Sequence, residues 1–246
     1  MTKNLRISES AATLVARLRN VADPTRLTGM ARYGIHTDRA LGVSIPHLRA
    51  AARDAKKSSA TEERHALAAS LWASELHEAR ILASMIDAPE LVDARQMQAW
   101  AADFESWDLC DQCCTNLFRW TAPAWDQALA WSHLGREAPE FLKRAGFVLM
   151  ATLAVGDKTS PDARFLPFFE RIRAAVDDPR NYVKKAVNWA LRQIGKRNAA
   201  LNLIALNLCR ELLEPARTLG PGARWVATDA LRELESPEVQ GRLRRF

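Results

Sequence analysis

Runs of strand-forming residues are almost missing from this chain of 246 residues. β-Branched stretches are rare while Ala, Leu, Arg and Glu dominate, which argues against any sheet-based plan. Cysteine is scarce: only Cys110, Cys113, Cys114 and Cys209 occur, three of them in one short segment. That is no disulfide scaffold, and the usage fits a reduced, intracellular setting. No run approaches the ~18 apolar residues that would span a bilayer. The first ten residues, MTKNLRISES, lack the apolar core of a signal peptide. The expected location is therefore cytoplasmic, with no membrane partner. Also missing are the phosphate loop G-x-x-x-x-G-K-[ST], the dinucleotide fingerprint and the G-x-S-x-G elbow. The histidines (His36, His47, His65, His77, His133) show no paired ligand spacing. The C-x-x-C-C run has no second Cys/His cluster to complete a zinc site, so its cysteines read as small buried hydrophobes. Neither a nucleotide cofactor nor a metal is expected.

What is present is helical periodicity. Apolar residues make up 48% of the chain and recur at three- and four-residue intervals almost throughout. The expected helices cover about 9–20, 24–32, 46–57, 61–73, 76–86, 89–103, 107–119, 123–133, 138–154, 161–176, 181–196, 199–213, 222–235 and 236–244. Pro24, Pro46, Pro89, Pro123, Pro139, Pro161 and Pro237 fall at or near helix starts, where a missing amide is harmless. The least regular part is about 33–45, where Gly34 and Gly42 suggest a loop. An internal repeat runs through the second half. FLKRAGFVLMATLA begins at Phe141 and YVKKAVNWALRQIG at Tyr182, while ALRQI at Ala190 is echoed by ALREL at Ala230. Spacings of this size fit helix pairs of the HEAT or armadillo kind, with periods of roughly 40–47 residues. The expected fold is all-α: a curved superhelical stack of HEAT-like antiparallel helix pairs, forming a single domain over 1–246.

The chain carries 35 basic and 29 acidic residues, a formal charge of +6, which favours an anionic partner without naming one. Placement says more. Trp107 and Asp111 in SWDLCDQCC are four apart, so they share one helix face, while Asp108 projects elsewhere. Ser106 with the following aspartates reads as an N-cap region. The bland alternative is a packed tryptophan and a solvated aspartate. Trp189 lies in YVKKAVNWALRQIGKR, where Lys185, Asn188, Trp189, Arg192 and Lys196 form one stripe and Val183, Ala186, Val187, Ala190, Leu191 and Ile194 form the apolar side. An indole there can stack on a base while Lys185 and Arg192 hold phosphates; packing on the next repeat is the alternative. Lys143 and Arg144 occupy the repeat position of Lys184 and Lys185, so basic pairs could line up along a nucleic-acid backbone, or merely solubilise the surface.

The blocks YGI…ALGVSIPHLRAAA, LWASELHEARILASMI, FESWDLCDQCC, FLKRAGF and NYVKKAVNWALRQIGKRN, in this order from Tyr33 onward, resemble the signature blocks of the AlkD-type bacterial DNA alkylation repair glycosylases. The resemblance implies a HEAT-like fold and excision of positively charged N3- and N7-alkylated purines from duplex DNA. Trp107 and Asp111 match the tryptophan and aspartate at the heart of that family's cleft, and Trp189 matches its second cleft tryptophan. Arg144 most nearly matches a backbone-holding arginine, beside Lys143, and Tyr33 sits where an N-terminal aromatic occurs. CDQCC departs from the best-known members. The implied mechanism stabilises an oxocarbenium-like sugar with Asp111, without a tight base-flipping pocket. The expected partner is alkylated duplex DNA, bound by a monomer. The competing expectation is a non-catalytic HEAT-repeat scaffold for DNA structures or a protein partner, which has no need of the aspartate.

Overall fold

A computed structural model describes residues 10–214 and 220–244; the first nine residues, read above for a leader, lie outside them. Among the described residues there are fourteen α-helices and no strand. They are α1 (Ala11–Asn20), α2 (Leu27–Arg32), α3 (Ile45–Ser58), α4 (Thr61–Trp72), α5 (His77–Ile86), α6 (Ala94–Ala102), α7 (Trp107–Asn116), α8 (Ala124–Ser132), α9 (Glu140–Gly156), α10 (Leu166–Ala175), α11 (Asn181–Gly195), α12 (Ala199–Leu213), α13 (Pro221–Leu234) and α14 (Pro237–Leu243). Each expected helix is there. Four of them are broken by a tight 3-10 turn, at Pro24–Arg26, Pro89–Leu91, Phe118–Trp120 and Asp162–Arg164. Three of these turns begin at or directly after a proline, which cannot donate into a preceding turn. Pro221 opens α13 at the same kind of position, one residue earlier than the periodicity indicates. Side-chain caps fix other starts: Ser10, Asp93, Asn198 and Ser236 each accept an amide of the first turn.

The sequence reads as one domain, and its internal contacts divide it into two compact units, residues 1–122 and 123–246. In the first unit α5 is buried along its whole length, packed by α3, α4 and α7. A satellite aromatic cluster forms where Trp72 stacks on Trp100 at 4.0 Å, with Phe104 and Phe118 alongside. In the second unit α9, α11 and α13 lie side by side as one layer, and α8, α10 and α12 pack as another. This is the HEAT-like arrangement of stacked helix pairs. Backbone ties repeat with it: Arg144 Nη1 donates to the Tyr182 carbonyl at 2.6 Å and Asn188 Nδ2 to the Val226 carbonyl at 3.2 Å, both 38 residues ahead. Val183, Ala186, Val187, Ala190, Leu191 and Ile194 of α11 are all fully buried, as the periodicity requires. No helix among the described residues is long and apolar enough to cross a membrane.

Candidate functional site

The first turn of α7 is built from SWDLCD. Ser106 stands at the N-cap position in extended backbone, but its hydroxyl does not cap an amide. It donates instead to Asp108 Oδ1 at 2.6 Å. Leu109, Cys110, Cys113 and Cys114 turn inward and are buried. Burial holds the Cys113 thiol well above its ordinary pKa. The opposite face carries Trp107 and Asp111, one turn apart and half-buried, as their spacing requires. Trp107 Nε1 donates to the Tyr33 carbonyl at 2.7 Å, which fixes the indole against the segment after α2. Tyr33 itself is 72% exposed, so its backbone rather than its ring meets this part of the site.

Asp108 does not project away. His77 Nε2 and Asp108 Oδ2 are 2.8 Å apart, both largely buried. Burial alone would lower the pKa of His77, but the hydrogen bond and charge of Asp108 outweigh it and raise the value. Burial pushes Asp108 up; the hydrogen bonds from His77 and Ser106 and the histidine charge overcome that and hold it below the usual carboxylate range. The two shifts agree in favouring an imidazolium–carboxylate pair. Next to His77, the buried Glu78 carboxylate accepts the consecutive amides of Leu41, Gly42 and Val43 at 2.9, 2.7 and 3.1 Å. Gly42 makes this possible: its φ of 76° is left-handed, and a Cβ there would sit 2.1 Å from the Asp23 carbonyl oxygen. Nothing in the sequence pattern marks His77, because it lies 31 residues from Asp108 and only packing of α5 on α7 joins them.

These groups surround a pocket of about 260 Å³ within the first unit. Trp107, Asp108 and Asp111 line it from α7, and His77 and Glu78 from α5. Aliphatic side chains, Ile45 and Ile81 among them, supply its floor. It is a hollow open to solvent on one side, formed beside the aspartate by the packing of α5 and α7 with the segment from Arg26 to Ile45. Chemically it offers a fixed indole, apolar walls and a surplus of carboxylate.

The remaining expected residues lie in the second unit. Trp189 is half-buried on α11 and Lys185 is exposed on the same helix. Lys184 lies 5.4 Å from the centroid of the Trp225 ring. Arg192 is part-buried and ion-paired with Glu233, which Lys196 also binds. The idea of matching exposed basic pairs fails at Lys143 and Arg144. Lys143 is 6% exposed and pairs with Asp178 at 3.0 Å; Arg144 is 5% exposed and bound to the Tyr182 carbonyl. The reason is local: α9 is covered along most of its length, and Asp178 and the Tyr182 carbonyl meet Lys143 and Arg144 there, whereas Lys185 on α11 stays exposed. Among the described residues no group of three or more His, Cys, Asp or Glu side chains could hold a metal ion.

Comparison with known proteins identifies the fold and the family. A solved structure described as belonging to "a new family of proteins related to the HEAT-like repeat DNA glycosylases with affinity for branched DNA structures" superposes with a TM-score of 0.73, at 17% identity, over 96% of each chain. At that identity the likeness establishes the fold. No curated protein matches the sequence. The family model described as "DNA alkylation repair enzyme" matches residues 14–232, which takes in the α7 pocket and all of α9 to α12. The chain belongs to the DNA alkylation repair enzyme family.

Proposed function

We propose that this protein is a DNA glycosylase that releases positively charged N3- and N7-alkylated purines from duplex DNA, acting as a monomer in base excision repair. The observation that carries the reading is Trp107 and Asp111 together on the wall of one pocket, within a chain of the alkylation repair family. A base alkylated at N7 of guanine already bears a positive charge. Its N9–C1′ bond breaks with the electron pair going to the base, which leaves neutral. The deoxyribose takes up the positive charge as an oxocarbenium-like cation. Asp111 stabilises that charge and orients a water, which adds to C1′ and gives up a proton to solvent. No metal is required, because the leaving group needs no further activation. The Trp107 and Trp189 faces attract cations, worth ~0.5–2 kcal/mol each. Lys184, Lys185 and Arg192 hold phosphates. Arg144 and Lys143, tied to Tyr182 and Asp178, set the framework of α9 on which that contact depends.

The test is a single-turnover measurement of 7-methylguanine release from methylated DNA with chelator present. Asp111→Asn is expected to cut release at least tenfold, about 1.4 kcal/mol of transition-state stabilisation, with DNA binding nearly intact. Equal release by variant and wild type would remove Asp111 from the mechanism. One observation favours a second reading, a non-catalytic binder of branched DNA: the relative of matching fold is described as having affinity for such structures. In that case no base is released from any alkylated duplex, and a four-way junction binds more tightly than a linear duplex of the same length.

A further inference from the structure

We propose that a basic cavity at the C-terminal ends of α9 and α11 seats a nucleotide unit of the DNA backbone, its phosphate against the cations and its sugar against an apolar floor; this rests on the DNA-binding part of the reading above and not on base release. The cavity measures about 510 Å³ and lies within the second unit. Its lining holds Lys158, Lys196, Arg197 and Arg242 and, among the described residues, no carboxylate. Val155, 45% exposed at the end of α9, and Leu243 of α14 supply the floor. A nucleotide of the backbone offers a sugar with an apolar face and a charged phosphodiester, the two parts to which most protein–DNA contacts are made.

The cations differ in how they are held. Arg197 is fixed: it donates to the carbonyls of Ala154, Asp157 and Ser160 and lies 4.4 Å from the centroid of the Phe165 ring. Lys196 shares Glu233 with Arg192. Arg242 is exposed and donates to the Lys196 carbonyl at 3.3 Å. Lys158 is exposed and has no hydrogen bond or ion pair among the described residues. Part of this charge answers the helix ends, since the C-termini of α9 and α11 each present roughly half a negative charge. Asp157 accepts the Thr159 and Ser160 amides and stays out of the lining. Setting Glu233, Asp157 and the two helix ends against the lining cations and Arg192 leaves a surplus of about two positive charges. Covering backbone carbonyls requires neither that surplus nor an unpaired lysine. Position adds to the argument. Lys185, Trp189, Arg192 and Lys196 follow one another along α11, and at Lys196 that row enters the cavity. At 1.5 Å per residue the row is about 16 Å long, the axial length over which one strand of B-DNA presents about five phosphates. A strand laid along α11 therefore reaches the cavity, where Lys158 and Arg242 meet its next phosphate.

Two measurements test this, and neither depends on catalysis. Binding of an unmodified duplex across a salt series is compared for wild type and the Lys158→Ala/Arg242→Ala double variant, both positions being exposed. The variant is expected to bind every duplex more weakly, with the slope of log K against log salt lowered by about two and the melting temperature unchanged. Calorimetry with inorganic pyrophosphate at matched ionic strength is expected to show wild type binding it about tenfold more tightly than the variant does. An unchanged salt slope in the folded variant overturns the proposal; pyrophosphate binding alongside it would then mark a small-anion site rather than a seat for DNA. Equal pyrophosphate affinity in the two proteins counts against the cavity as the anion seat, and failure of wild type to bind duplex at all ends the idea. Should the double variant fail to fold, Lys158→Glu decides, with an expected drop in slope of about one or more and an unchanged slope as the contrary result. If duplex binding behaves as expected but no alkylated base is ever released, the glycosylase reading falls and this site stands.

Discussion

Asp178 is nearly enclosed and holds two cations, Lys143 at 3.0 Å and Arg180 at 2.7 Å. Burial pushes its carboxyl pKa up, but the hydrogen bonds from Arg180 and Lys143 prevail and bring it down to about 2. A folded value below the unfolded one means that the carboxylate stabilises the fold above the ordinary carboxylate range. With an unfolded value of roughly 3.9 the contribution is about 2–3 kcal/mol at neutral pH, lost as pH falls from about 4 to about 2. Asp178→Asn leaves Lys143 buried without a counter-charge, and its expected cost is about 3–5 kcal/mol near pH 7. The same variant should also show a shallower loss of stability on acidification. Denaturant melts at neutral pH and near pH 3 check both points, and identical acid sensitivity in the two proteins would be the contrary result. This is also the scale at which the sequence is least legible. In the string FLKRAG, Lys143 is indistinguishable from Lys184, its repeat equivalent, because the difference lies in Asp178, more than thirty positions away, which receives the buried ammonium. Asp108 is a similar case. Its own helix directs it off the Trp107–Asp111 row, yet His77 on α5 meets it there and closes the site.

Helices α8 and α9 approach so closely at Gly146 that a Cβ there would sit 2.4 Å from the Ser132 amide nitrogen and 3.0 Å from its Cα. The obstruction is backbone, which cannot step aside as a flexible side chain would. Gly146→Ala is expected to destabilise by about 1–3 kcal/mol through overpacking, more than the up to ~1 kcal/mol that alanine returns as helix propensity. Gly241 on α14 has nothing within 4 Å of such a Cβ; Gly241→Ala is expected to be neutral or mildly stabilising. Thermal melts of the two variants settle the contrast, and a stable Gly146→Ala would mean that α8 and α9 can separate at little cost. At this scale the sequence is most legible. Helix identity follows from three- and four-residue apolar spacing, and that spacing survives intact in α11, whose expected inner face is the observed one. What it cannot register is how a helix begins: the 3-10 turns at Pro24 and Pro89 keep the apolar rhythm while changing the hydrogen-bonding ring. The repeats near 41 and 40 residues are the steps from α9 to α11 and from α11 to α13, now visible as one layer.

At the scale of the whole molecule, the chain is basic, with a formal charge of +6 and Lys185 exposed on α11, while the pocket beside Asp111 is lined by more carboxylates than cations. If α11 lies against phosphates, Lys185→Ala weakens binding to every duplex alike and lowers the slope of log K against log salt by about one. Arg192→Ala has a smaller effect, since its guanidinium already serves Glu233. A titration series in salt measures this, and an unchanged slope for Lys185→Ala would put α11 away from the duplex. The four cysteines bear on the setting in which such a protein works. All four are buried; the Cys113 thiol is held far above its usual range and that of Cys209 at about 12, both chiefly by burial. Reaction with an electrophile needs thiolate and access, and these two sites offer little of either. A repair protein built this way keeps sulfur out of reach of the very methylating agents whose marks on DNA it would be called to remove.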